Sequence, residues 1–276
     1  MTTKDFGRTI AVDVGQIVTI DLPDWNLQDL PSSVLQPLTS QSPTGPKTFR
    51  AVAVGSQLVL AVQPPPRVSC PIGWDCAEPA PRYGRFVLVA IPADASFNLV
   101  VSEMDKDKLF LVAPATQIIA AIPAADLTIA DATMLMPAPL QDGTSLTLLS
   151  AGRPGQSRVS GARFSFDVLA RPADNRYDVV LSEKDGGRTI HLRVGETIDV
   201  QLSNSPGYLG WSPPFGFWLR PIVDPAMPTP NDAANFGYLI EAAHSASLVF
   251  ADFPRCELQA NCLLVARRIE FSIAAS

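Results

Sequence analysis

The sequence predicts an all-β chain, a tandem of three small antiparallel β-sandwich domains, and three observations carry that expectation. The text GRTIAVDVGQIVTIDL at residues 7–22 returns as GRTIHLRVGETIDVQL at residues 187–202, 180 positions later. Each copy alternates apolar and polar residues in two runs broken at a Val-Gly pair, as in Ile190, Leu192 and Val194, then Gly195, then Ile198, Val200 and Leu202. That period of two, interrupted by one glycine, marks two half-buried strands joined by a tight turn. Finally, 26 Pro and 17 Gly spread over 276 residues leave no long amphipathic helical window.

A degenerate third copy lies between the first two. SEMD at 102–105 matches SEKD at 182–185, and Ile118, Ala120 and Ile122 stand where Ile198, Val200 and Leu202 do, 80 positions on. Fixed-period self-similarity of this kind is a repeat architecture. It divides the chain into domains 1–94, 95–172 and 173–276, each large enough to bury a core of its own.

In the first domain the repeat strands lead into residues 23–46, rich in Pro, Ser, Gln and Thr, which read as a long irregular crossover anchored by Trp25 and Leu30. Residues 49–62 give two strands about Gly55-Ser56, the Pro-rich loop 64–82 carries Cys70, Trp74 and Cys76, and residues 86–91 close the sheet. The second domain keeps the scaffold in strands at 99–101, 109–112, 118–122, 146–149 and 164–169, the fourth after an Asp142-Gly143 turn. It lacks Cys, Trp, Tyr and His, as a spacer would. The third restores the ornaments: SNSPGYLGWSPPFGFWL at 203–219, strands over 239–250, Cys256 and Cys262, and a last strand at 269–273. Connectors of two to four residues near Asp94 and Ala173 predict domains that do not tumble independently.

Composition excludes several classes. Hydrophobic residues are 47%, charged residues 17% and mean hydropathy is +0.17, yet no apolar run approaches the length of a membrane span. A net charge of −6 with scattered basic residues argues against nucleic acid. The first residues run straight into a strand without a leader, which by itself points to the cytoplasm. The cysteines point outward: Cys70 with Cys76 and Cys256 with Cys262 have equal spacing and equivalent position, so two local disulfides in an oxidising compartment are expected. The two signals agree if a targeting segment is absent from this sequence. One pair per domain without a neighbouring His makes a poor zinc cage, so no metal and no cofactor are expected.

The pattern GxTIxLxVGxxIxVxL, the Trp-bearing crossover, the Cys-bearing Pro-rich loop and the closing strand resemble bacterial immunoglobulin-like β-sandwiches. Among these the chain is most similar to chagasin-like cysteine-protease inhibitors and to domains of bacterial surface lipoproteins. In the inhibitors one loop carries Asn-Pro-Thr-Thr-Gly-Tyr-x-Trp, a second is Gly-rich and a third carries Arg-Pro-Trp. Asn204, Pro206, Gly207, Tyr208 and Trp211 resemble the first without its Thr-Thr, and Arg255 after Pro254 resembles the third without its Trp. Residues 239–247 are not Gly-rich, and the first domain keeps only Trp25. The resemblance implies a sandwich scaffold and, through these residues, an inhibitor of papain-type proteases as an alternative function.

Catalysis has little support. His191 and His244 are the only histidines and lie 53 residues apart, with His191 expected on a solvent-facing strand position. No Gly-x-Ser-x-Gly elbow or phosphate loop is present. Glu103, Asp105, Asp107, Glu183 and Asp185 could hold calcium, but Asp105 and Asp185 fit turn-shaping better. The one aromatic concentration is Tyr208, Trp211, Phe215, Phe217 and Trp218, where Tyr208 and Trp218 are expected at the surface, open to a glycan, and Trp211 and Phe217 in the core. The leading expectation is therefore a non-enzymatic extracellular or cell-surface structural and adhesive protein that binds its own copies or another surface protein. The candidate contact residues are Asn204, Pro206, Tyr208, Trp211, Trp218, Arg255 and Trp74.

Overall fold

The computed structural model describes residues 1–28, 30, 32–38, 45–66, 79–140, 145–204, 208–214, 218–227, 233–254 and 266–276. The cysteine pairs, Trp74, Pro206, Phe215, Phe217, Arg255 and the Asp142-Gly143 turn lie outside the described residues. The chain is all-β. The first copy holds β1 (Thr9–Asp13), β2 (Ile17–Ile20), β3 (Asn26–Gln28), β4 (Leu35–Pro37), β5 (Lys47–Ala51), β6 (Gly55–Gln63) and β7 (Arg82–Ile91). The second holds β8 (Leu99–Val101), β9 (Leu109–Val112), β10 (Gln117–Ala120), β11 (Thr128–Ile129), β12 (Leu135–Pro139), β13 (Thr147–Ala151), β14 (Gly155–Ser160) and β15 (Ser165–Ala170). The third holds β16 (Val179–Ser182), β17 (Thr189–Leu192), β18 (Thr197–Ser203), β19 (Tyr208–Ser212), β20 (Leu219–Val223), β21 (Ala233–Ile240), β22 (Ser245–Pro254) and β23 (Arg267–Ala275).

One strand order recurs three times. The sheets β1-β7-β6-β3, β11-β14-β15-β9 and β17-β23-β22-β19 match one another, as do β2-β5-β4, β8-β10-β13-β12 and β16-β18-β21-β20. These are the two sheets of an immunoglobulin-type sandwich in which the opening strand is split between them. Residues 7–22 and 187–202 occupy equivalent places: β1 and β17 run parallel to β7 and β23, while β2 and β18 run antiparallel to β5 and β21. Two expectations are corrected here. The repeat is not a hairpin, because its two strands enter different sheets, and the sheets are mixed, because the split strand meets its neighbour in parallel. Residues 23–46 are also more regular than expected, since β3 and β4 lie within them.

Local chemistry explains the recurrence. Gly7 and Gly187 have φ of 76° and 78°, Gly15 and Gly195 of 95° and 92°, and the second copy reaches the same turns with Asp107 at 60° and Ala115 at 68°. Glycine adopts that region freely and Asp tolerates it, whereas Ala is strained there. Ahead of each turn a Ser or Thr opens a 3-10 turn closed by an Asp three residues on. The backbone N–H groups of Thr2, Ser102 and Ser182 donate to Asp5, Asp105 and Asp185 at 2.8, 3.1 and 2.9 Å. Asp105 and Asp185 thus shape turns, and Asp105 also accepts from the Thr9 hydroxyl at 2.6 Å. The Ser182 N–H and hydroxyl hold Asp185 below the usual carboxylate range.

Contacts divide the chain into two compact units. One comprises Met1–Asp107, Ala115–Arg153 and Ser157–Phe166, the other Lys108–Pro114, Pro154–Gln156 and Asp167–Ser276. In the first unit Phe49, Val59, Phe86 and Leu88 centre the core of the first copy. The outward face of β7 is apolar as well: Val87, Val89 and Ile91 are buried against Ile119, Leu146 and the half-buried Val100 and Leu148. In the second unit Tyr238, Phe250 and Phe271 centre the core of the third copy. There β9 pairs in parallel with β20, Ile222 beside Leu109, and Leu109, Leu111, Leu169 and Leu239 close over the join.

The strain at Ala115 gives a direct test. Ala115→Gly is expected to stabilise the chain by about 0.5–1 kcal/mol, the left-handed penalty less the entropy of the new glycine, and Gly15→Ala to destabilise it by a similar amount. Urea unfolding of both variants measures the pair, and a destabilising Ala115→Gly would contradict the assignment.

Candidate functional site

Three chain reversals leave the third copy at one end. Strand pairing sets Ser203 opposite Ala233, Tyr208 opposite Pro254 and Asp252 opposite Arg267, so the end of β18, the start of β19, the start of β21, the end of β22 and the start of β23 lie at one end of the two sheets. Loops gathered at one end of a sandwich are the part of this fold free to vary without disturbing its core.

Arg267 braces that end. Its guanidinium lies 4.9 Å from the centroid of the Trp211 ring and 5.7 Å from that of Tyr208. Delocalised charge over an aromatic face is favourable and holds the rings in place. The same group reaches Glu183 Oε1 and the Ser203 carbonyl at 3.5 Å and Asp252 Oδ2 at 3.7 Å. Each of these acceptors holds another strand. Glu183 accepts the Ser203 N–H at 2.9 Å, the Ser203 carbonyl accepts the Trp211 indole N–H at 3.0 Å, and fully buried Asp252 accepts the Gly210 N–H at 3.0 Å. The Gly210 bond sits where the register of β19 shifts between Tyr208 and Trp211. Positive charge, rings and carboxylates therefore tie the bases of two loops to one another.

The predicted residues fall out unevenly. Asn204, Tyr208 and Trp211 come together at this end, with Pro254 alongside. Trp211 is 6% exposed, as expected of a core ring. Trp218 is corrected: it is 5% exposed and 5.4 Å from the His244 ring, because it stands at the start of β20 and faces inward. Leu209 and Phe253, at 66% and 43% exposed, supply the apolar surface there instead. His191 is exposed on β17, as expected. Arg267 and Asp252 were missed. The available signal was positional, since an Arg opens the last strand of both the first and third copies, as Arg82 and Arg267, and the residues opposite them are Gln63 and Asp252. In the first copy the corresponding end carries a groove of about 480 Å³ lined by Asp24, Gln63, Pro64, Pro66, Pro79 and Arg82.

No family model matches the chain, and no curated protein matches it. Among solved structures, a cysteine protease inhibitor from Entamoeba histolytica is 16% identical over 36% of this chain and 95% of its own, with a TM-score of 0.30. A tandem from titin is 9% identical over 97% and 96%, with a TM-score of 0.18. An endo-fucoidan hydrolase of glycoside hydrolase family 107 is 11% identical over 95% of this chain and 42% of its own, with a TM-score of 0.23. At such TM-scores the fold rests on this chain's own strand order.

Removing the brace tests it. Arg267→Ala should destabilise the chain by about 1–3 kcal/mol in urea and shift tryptophan emission, since two rings lose a cation and buried Asp252 loses its partner. Arg267→Lys should recover little, because a point charge cannot cover both rings. Unfolding and emission unchanged in Arg267→Ala would remove the brace.

Proposed function

We propose that the chain is a non-enzymatic surface protein of three immunoglobulin-like sandwiches, bounded near residues 94 and 172, that makes adhesive contacts with its own copies or with another surface protein. The contacts lie at the loop ends of the first and third copies, with the second as spacer. The observation that carries this is the gathering of the ends of β18, β19, β21, β22 and β23 at one end of the third copy around the Arg267 brace. A rigid base under variable loops is how this fold presents a binding surface with little ordering cost. Disulfides Cys70–Cys76 and Cys256–Cys262 would tighten those loops and place the protein outside the cytoplasm.

Sheet faces offer a poorer contact. Where β7 carries Val87 and Val89 outward, β23 carries Ser272 and Ala274; where β9 carries Leu109 and Leu111, β17 carries Thr189 and His191. Likewise Ile119 and Leu148 of the second copy correspond to Thr19 and Thr48 of the first. Polar outward faces oppose burial against a further sheet.

A second reading has one specific observation in its favour. Tyr208, in the stretch that resembles the first inhibitor loop, is paired with Pro254, at the start of the stretch that resembles the third. Protease inhibition would then use the same loop end. A glycan platform built on Tyr208 and Trp218 loses its second ring to the core.

Sedimentation velocity of the oxidised chain from 1 to 200 μM, with negative-stain imaging, is the test. Concentration-dependent assembly that disappears when residues 257–261 are replaced by Gly and Ser supports adhesion through the loops. A monomer at every concentration, together with stoichiometric inhibition of papain, would replace this reading with the inhibitor. Mass spectrometry of the unreduced chain should show four hydrogens fewer than the reduced form, and four alkylatable thiols would refute the pairing.

A further inference from the structure

A carboxylate inside the second unit has no visible structural reason to be there. Asp199 stands in the middle of β18, between Gly237 of β21 and Val180 of β16, and is 5% exposed. At the equivalent positions the other copies carry Thr19 and Ile119. Oδ2 accepts from the Gln201 amide at 2.6 Å, whereas Oδ1 is buried and has no hydrogen-bond partner. A buried charge with half its hydrogen-bonding capacity unused is costly, and neutralising it removes most of the cost.

What covers Asp199 is the connector between the second and third copies. Tyr177 lies across Gly237 so closely that a Cβ there would come within 2.6 Å of its hydroxyl. That hydroxyl donates to Asp224 at 3.4 Å. Arg176 forks onto Asp224, whose side chain is 2% exposed, and also donates to the Leu111 carbonyl of β9 at 3.0 Å. Beyond it Arg171 pairs with Asp178 at 2.7 Å, and Asp178 accepts the Thr197 N–H. The groups facing Asp199 are thus Gln201 on its own strand, Tyr177 on the connector and Asp224 after β20, with Arg176 behind Asp224. Gly237 and Val180, its neighbours in the sheet, bring no charge. The Arg176 guanidinium bonds to Asp224 and to the Leu111 carbonyl.

We infer that Asp199 is a proton-operated latch beneath this connector, which fastens β18, β20 and β21 to β9 more firmly in mild acid than at neutral pH. Burial, and secondarily the charge of Asp224, push the Asp199 carboxyl above the usual carboxylate range, against the Gln201 bond that lowers it. A carboxyl raised on folding disfavours the folded state while ionised. Stability is therefore gained as pH falls through the raised value and is complete near the ordinary value of 3.8. Asp178 titrates the other way. Burial would raise it, but the Thr197 N–H and Arg171 hold it below the usual range, so its contribution is lost only at pH below that of the ordinary carboxylate. The two windows do not overlap, and the junction should be tightest in mild acid.

Thermal unfolding of the full chain between pH 5 and 7.5, with hydrogen exchange at pH 7.5, tests the latch. The wild type should melt higher at pH 5 than at pH 7.5. Asp199→Asn should melt higher than wild type at pH 7.5, lose at least half of that pH dependence, and slow amide exchange chiefly at residues 108–112 and 219–223. Asp199→Thr, which installs the residue of the first copy, provides the same readings should the Asn variant misfold. An unchanged pH slope in the variants, or protection gained evenly over the chain instead of at the junction, would overturn the inference.

Discussion

Each sheet of a sandwich has two faces, and its own core covers only one. The outward face must be polar or must be covered by something else, and this constraint shapes most of what distinguishes the three copies. Inward-facing positions are interchangeable, with Leu88, Val168 and Ile273 standing at the same place. Outward-facing ones are not: Val87 corresponds to Asp167 and Ser272, and Thr19 to Ile119 and Asp199. Val87, Val89 and Ile91 are apolar where a neighbouring sheet covers them, Ser272 and Thr19 are polar where none does, and Asp167, buried at an equivalent position, is paired with Arg220 at 2.6 Å. Burying a side chain the size of Val contributes on the order of 1.5–3 kcal/mol, so Val87, Val89 and Ile91 together weigh as much as a small core.

Covering a face also fixes a joint. The connector in the second unit is fastened by Arg176, which donates to the Leu111 carbonyl of β9, and by Asp178, which pairs with Arg171 and accepts from Thr197 of β18. The strand join of β9 to β20 adds backbone pairing to side-chain packing. At one end of the third copy Arg267 ties Glu183, Ser203, Trp211 and Asp252 together, and the proposed contacts are placed there. Asp199 differs from the paired Asp167 in that one of its buried oxygens has no hydrogen-bond partner, and that cost is what makes it sensitive to protons.

Much of this was readable in the residues. Alternation placed the strands of the repeat, and the glycines at 15 and 195 marked the turn because their positive φ has few substitutes. The partners of those strands were not readable, since alternation records which way a side chain faces and not which strand lies beside it. Alternation alone therefore reads the opening strand, split between two sheets, as a hairpin. Ala115 hid the second-copy turn, because an alanine gives no sign of a left-handed conformation. Trp218 sits among glycines and prolines that would suit a displayed ring or a buried one equally well. Arg267 and Asp252 stand 15 residues apart in sequence and meet only because β22 and β23 pair, which no local pattern announces.

The central claim is that the outward faces, more than the cores, set the chain's organisation. It is tested most directly by placing the same charge at two equivalent outward positions, Val87→Asp on β7 and Ser272→Asp on β23, and measuring the unfolding free energy of each in urea. Val87 is 2% exposed and covered, whereas Ser272 is half-buried on an uncovered face. The account predicts a loss of about 3 kcal/mol or more for Val87→Asp and under about 0.5 kcal/mol for Ser272→Asp. Equal losses at the two positions would contradict it.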